Sequence, residues 1–138
     1  MSIAYRIDKG MGFTLTRWDG VVTASEFLTH VQKLSSDPDW PPARRLHLTD
    51  LSTARLDSSM DEATVEKAAH LYGERRNEIN GMKVAIVAGD ASKQAAVFER
   101  VIVQYGATAI VFNHVDAAAT WLGLKPDTVQ SAMRQVPV

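Results

Sequence analysis

The sequence predicts an α/β fold in which an N-terminal antiparallel hairpin feeds a mostly parallel five-stranded sheet with helices packed against it. Three observations carry this expectation. Residues 3–7 and 13–18 alternate apolar and other side chains on either side of the turn Asp8-Lys9-Gly10-Met11-Gly12, the pattern of a hairpin. Residues 82–88 and 108–112 are almost continuously apolar and rich in β-branched side chains, as strands covered on both faces are. The remaining segments place their apolar residues at helical spacing. The order is β-β-α-β-α-β-α-β-α, and strands alternating with helices imply right-handed crossovers and parallel pairing.

Each element has its own signals. Asp19-Gly20 is expected to end the second strand. Thr23-Ala24-Ser25-Glu26 has the spacing of a capping box, and Phe27, Leu28, Val31 and Leu34 follow on one helical face. Pro38, Pro41 and Pro42 stop that helix, and Trp40 between them is expected to be the most exposed of the tryptophans. Residues 45–50 form the third strand, with Leu46 and Leu48 on one face, and residues 51–57 form a loop. A long helix then starts near Ser58 or Ser59, buries Val65, Ala68, Tyr72 and Ile79, and ends at Asn80-Gly81. After the strand at 82–88, Asp90 caps a helix with Ala95, Phe98, Val101, Ile102 and Tyr105 inward. Gly106 ends it. After the strand at 108–112, Asn113 caps a short helix that turns Ala118, Trp121 and Leu122 inward. A last helical turn runs from Lys125-Pro126 to about Arg134, and residues 136–138 fray. The whole is read as one domain, residues 1–138, with its core at about 3–124 and a helical extension at 125–138.

Composition narrows the function classes. With 138 residues the chain is long enough for its own hydrophobic core, and with no cysteine it has neither disulfides nor a thiolate metal site. Lys and Arg number 15 against 16 Asp and Glu, a balance unlike the basic surface that nucleic-acid binding needs. No apolar run reaches membrane-spanning length, and the start Met1-Ser2-Ile3-Ala4-Tyr5-Arg6 lacks the apolar stretch of a signal peptide. A cytoplasmic location is expected. His30, His47, His70 and His114 have no metal-ligand spacing, Gly89-Asp90-Ala91-Ser92-Lys93 lacks the glycines of a phosphate-binding loop, and no Gly-x-Ser-x-Gly elbow is present. No cofactor, metal or catalytic set is expected. Arg44-Arg45 and Arg75-Arg76 are the basic pairs that could meet an acidic partner.

The most informative stretch is Asp50-Leu51-Ser52 followed by Asp57-Ser58-Ser59. It resembles the STAS domains, the anti-sigma-factor-antagonist fold, in which a strand ends in Asp-Leu-Ser and a helix opens at Asp-Ser-Ser-Gly. The start Gly20-Val21-Val22-Thr23 and the ending 111–122 are similar to the related SpoIIAA-like bacterial proteins. The resemblance implies a non-catalytic regulatory domain that binds a partner protein or kinase. Its switch would be a phosphorylated Ser58 with Ser59 beside it, Asp50 and Asp57 adjoining. A phosphate at a helix start would meet free N–H groups and the positive end of the helix dipole. Met60 stands where the family has Gly, and Asp61 and Glu62 add two carboxylates to the same turn. The plainer alternative is that Ser59-Met60-Asp61-Glu62 is a capping box. A second functional reading is a small-molecule or lipid-binding module of Sec14-like outline, with the helices after Thr23 and Asp90 opening over a pocket for a small apolar ligand. An enzyme is the third. A homodimer is a further expectation, because residues 3–7 would form an open sheet edge.

Overall fold

The computed structural model describes residues 2–136, apart from the side chain of Arg76. Five strands form one sheet in the order β1-β2-β3-β4-β5: β1 (Ile3–Asp8), β2 (Phe13–Val22), β3 (Leu46–Leu56), β4 (Lys83–Val87) and β5 (Thr108–Phe112). The first pair is antiparallel and the other three are parallel. The expected α/β class, hairpin and parallel sheet are all present. The edge position of β1 is as expected too.

Helices cover both faces. One face carries α1 (Ala24–Ser35), α2 (Glu62–Gly73), α3 (Arg76–Ile79) and α4 (Ser92–Ile102). The other carries α5 (Val115–Trp121) and α6 (Pro126–Met133). Strand alternation divides the side chains between them. Phe13 and Leu15 of β2, Leu46 and Leu48 of β3, and Ala85 and Val87 of β4 pack under α5 and α6. Trp18, Val84 and Ile86 pack under the other helices.

The α1 start is the capping box the sequence shows. Thr23 Oγ1 accepts from the Glu26 amide at 3.2 Å, and Glu26 Oε1 accepts from the Thr23 amide at 3.3 Å. Several other boundaries differ from expectation. Asp19-Gly20 does not end β2. A register shift between Arg17 and Asp19 absorbs them, and β2 runs on beside residues 53–56, which therefore join β3 instead of forming a loop. The helix expected from Ser58 or Ser59 starts at Glu62, because Asp61, not Ser59, is the N-cap: its carboxylate accepts from the Thr64 amide at 2.8 Å. That helix is also broken between α2 and α3. At Gly73 an added Cβ would lie 2.3 Å from the Tyr105 ring, so the chain is held against that tyrosine where the helix stops.

Asp90 is not an N-cap. Residues 89–91 form a 3-10 turn, and α4 follows with no side-chain cap. At the start of α5 the N-cap position is His114 rather than Asn113. β5 is an edge strand with only Ala109 buried, not a strand covered on both faces. In the tail, Val136 is buried against α6 rather than frayed; residues 137–138 lie outside the described residues. Trp40 is buried at 4% exposure, against the expectation of an exposed ring, because it packs on Tyr72 with ring centroids 5.8 Å apart.

Candidate functional site

The switch residues expected from sequence come out as a hydrogen-bonded turn. The Asp57 carboxylate accepts from the Ser59 amide at 2.9 Å and also from the Ser59 hydroxyl. That hydroxyl in turn accepts from the Ala24 amide at 2.9 Å, so the turn ties the start of α1 to the approach to α2. Ser58 is exposed in this turn, ahead of the helix cap. The free N–H groups that would have met a phosphate belong to α2, and Asp61 already occupies their end. The Thr64 amide holds the Asp61 carboxyl below the usual carboxylate range. Asp50 lies apart from Ser58, buried within β3, where it accepts from the Ser52 amide at 3.0 Å. The contact lies inside the continuous strand β3, at its register shift against β2, and not in a following turn.

Three of the four arginines in the basic pairs are engaged internally, and the side chain of Arg76 lies outside the described residues. Arg45 donates to the Asn80 carbonyl at 2.6 Å, Arg44 to the Met11 carbonyl at 3.3 Å, and Arg75 to the Ser35 carbonyl. Among the described residues no group of three or more His, Asp or Glu could hold a metal ion. None of the helices is long and apolar enough to cross a membrane.

A different feature brings side chains together. Between the sheet and helices α1 to α4 lies a cavity of about 80 Å³. Trp18, His47, Thr49, Val84 and Ile86 form its floor on the sheet. Phe27 and His30 of α1 close one side, and Val65 and Tyr72 of α2 another. Ala95, Phe98 and Ile102 of α4 stand opposite, and Trp40 reaches in from the proline loop. Thr49, although in the middle strand and flanked by Thr16 and Ile86, is only half-buried. An opening above it has that effect. A single water needs only about 10–15 Å³ measured in this way, so the space exceeds an ordinary packing defect.

The cavity wall is unusual in its polar groups. The imidazole of His47 is buried beside the Thr16 hydroxyl, 2.9 Å away. Burial pushes its pKa down to about 3, and the neighbouring His30 adds to the shift. Burial likewise pushes His30 down to about 4, helped by Lys33. Both rings are therefore neutral at ordinary pH. His30 stands edge-on to Trp18 and Tyr5, with centroids 6.4 and 5.8 Å apart. The indole Nε1 atoms of Trp18 and Trp40 are buried with no hydrogen-bond partner. No Asp, Glu, Lys or Arg is among the lining residues. Gln94, half-buried, donates to the Met60 carbonyl at 3.1 Å and links α4 to the approach to α2 across the cavity.

The sequence reading anticipated helices α1 and α4 around a pocket but missed Trp40, His30 and His47 as its lining. One signal was available. Thr16 and Trp18 on β2, with His47 and Thr49 on β3, all share the strand face opposite Phe13, Leu15, Leu46 and Leu48. Comparison with family models, curated proteins and solved structures gives no match. The similarity to STAS and SpoIIAA-like domains therefore rests on the residues quoted for it.

Proposed function

We propose that this domain binds a small, largely apolar molecule in the cavity between the sheet and helices α1 to α4. The observation that carries this reading is a lining free of formal charge, set under amphipathic helices and interrupted only by neutral imidazoles, indoles, a threonine, a tyrosine and a glutamine. Binding pockets have this character: mostly hydrophobic and aromatic walls with a few placed polar groups. No nucleophile with a paired base lines the cavity, so the reading is of binding rather than catalysis.

The alternative of a protein-interaction domain switched at Ser58 loses its physical rationale. A phosphate there would sit in an exposed turn beside Asp57, ahead of a helix start that Asp61 already caps.

The test pairs xenon, an apolar probe small enough for a space of this size, with a cavity-filling variant. Ala95 is buried in α4 and lines the cavity, so Ala95→Leu places three extra carbons in it. The wild-type protein should bind xenon with a saturable shift of the ¹²⁹Xe resonance, and Ala95→Leu should bind it at least about tenfold more weakly while unfolding normally. Equal binding by both proteins, or by neither, contradicts the proposal. Native mass spectrometry of freshly purified protein adds a second readout, a mass increment that the variant lacks.

A further inference from the structure

The size of the cavity limits what it can hold. Its volume is about 80 Å³, about half of the roughly 150 Å³ in which a buried apolar cavity takes up a benzene ring. How firm that limit is depends on how far the walls can give. Interlocked side chains resist enlargement, because moving one of them forces its neighbours off their preferred rotamers.

Much of the wall consists of two series of packed rings. On one side Trp18 of β2 packs on Phe27 of α1, with centroids 5.2 Å apart, and stands edge-on to His30 at 6.4 Å. On the other, Trp40 packs on Tyr72 of α2 at 5.8 Å, and Tyr72 meets Phe98 of α4 edge-on at 6.2 Å. All six rings line the cavity. The second series is braced at its end by Arg75, which lies 5.5 Å from the centre of the Trp40 ring and donates to the Ser35 carbonyl. The helices above are held together as well. Gln94 of α4 donates to the Met60 carbonyl ahead of α2 at 3.1 Å, and His70 of α2 is hydrogen-bonded to Tyr105 just beyond α4. These ties join α2 and α4 near both ends, so a larger guest would have to break them or push a ring against its neighbour.

We propose that the cavity is a size filter: its ligand is an uncharged molecule of about three or four heavy atoms, a dissolved gas or a very short hydrocarbon or halocarbon, and a benzene ring is shut out. This rests on the reading of the cavity as a binding site and names the class of molecule it takes. Ions are excluded on separate grounds, since no Asp, Glu, Lys or Arg lines the space to balance a buried charge. Among hydrocarbons, the area removed from water favours the larger. A site without a size limit therefore binds benzene better than cyclopropane, and the filter reverses that order.

Xenon, cyclopropane and benzene test the filter, each added to ¹⁵N-labelled protein at neutral pH and followed through the amide resonances of α1, α2 and α4. Xenon and cyclopropane should shift these resonances in a saturable way, and benzene should bind at least about tenfold more weakly than cyclopropane. Ile86→Ala removes three carbons from the sheet side of the cavity and should raise benzene to at least the affinity of cyclopropane. Val65→Ala removes two from the α2 side and replaces Ile86→Ala should that variant fail to fold. Benzene binding the wild-type protein within about tenfold of cyclopropane, or more tightly, overturns the filter and leaves the cavity reading intact. Xenon bound without cyclopropane does the same. Benzene still excluded from the enlarged variants overturns it too, because the walls would then not be what sets the limit. Failure of xenon and cyclopropane alike overturns both readings.

Discussion

The two faces of the sheet are built from the same strands and are packed differently. Toward α5 and α6, the strands present Phe13, Leu15, Leu46, Leu48, Ala85 and Val87, all at 5% exposure or less, closed by small residues such as Ala118 and Ala119. Toward α1 to α4, adjacent positions on the same strands are Thr16, Trp18, His47 and Thr49, and a cavity remains above them. A face meant only for stability has no reason to bury two imidazoles and two unpartnered indoles, because aliphatic side chains of similar volume fill such space at lower cost. The difference separates a closely packed scaffold face from the face that holds the proposed binding cavity.

Large-to-small substitutions should show the widest gap. Leu48 is fully buried on the scaffold face, and Leu48→Ala should destabilise by about 3–5 kcal/mol in urea unfolding. Ile86 already borders the cavity and has fewer atoms to lose contact with, so Ile86→Ala should cost only about 2 kcal/mol. Equal losses would remove the distinction between the faces.

Acid should act on the cavity face alone. His30 and His47 have folded pKa values of about 4 and about 3, below the value of about 6.5 expected in the unfolded chain. A lowered folded pKa means that the unfolded state binds protons first as pH falls. Their neutral burial is therefore undisturbed above about pH 6.5, and stability is lost between there and the folded values. Going from about pH 7 to about pH 5 should cost about 2 kcal/mol for each histidine. His47→Gln keeps a partner for Thr16 but cannot titrate, and it should roughly halve that loss. An unchanged pH slope in the variant would contradict the burial of a neutral His47.

Matched insertions sharpen the comparison further. Ala85→Leu overfills the scaffold face and should cost about 1–3 kcal/mol, whereas Ala95→Leu has room and should cost less than about 1 kcal/mol while weakening xenon binding. The smallest effects concern the start of α2. Asp61→Ala should lower the unfolding midpoint as a lost N-cap, and Ser58→Ala should leave it unchanged. The reverse order would restore the helix start to Ser58.

Much of the architecture was legible because it is written in local patterns. The hairpin, the Thr23 to Glu26 capping box and the apolar strands all follow from residues a few positions apart. The errors share a cause, which is long-range context. Residues 53–56 look like a loop until β2 extends beside them. Ser59-Met60-Asp61-Glu62 and Asp61-Glu62-Ala63-Thr64 both offer a cap, and contacts already made by Ser59 with Asp57 and Ala24 leave Asp61 to take it. Gly73, the last residue of α2, lies against the ring of Tyr105, more than thirty positions away in sequence. The site was less legible still. Alternation marks one face of β3 with Leu46 and Leu48, and nothing local says that His47 and Thr49 on the other face are also covered. Trp40 reads as a surface residue among prolines until Tyr72 is brought under it.

The three tryptophans give the most direct check on the central claim, because they are divided between the faces: Trp18 and Trp40 line the cavity, and Trp121 packs on Phe112 at 5.8 Å on the far side. In a ¹⁵N-labelled sample each indole N–H gives its own resonance. Titration with xenon should move the Trp18 and Trp40 signals in a saturable way and leave that of Trp121 in place. Movement of Trp121 alone, or no movement of any indole signal as xenon is added, would contradict a binding cavity on the α1 to α4 face.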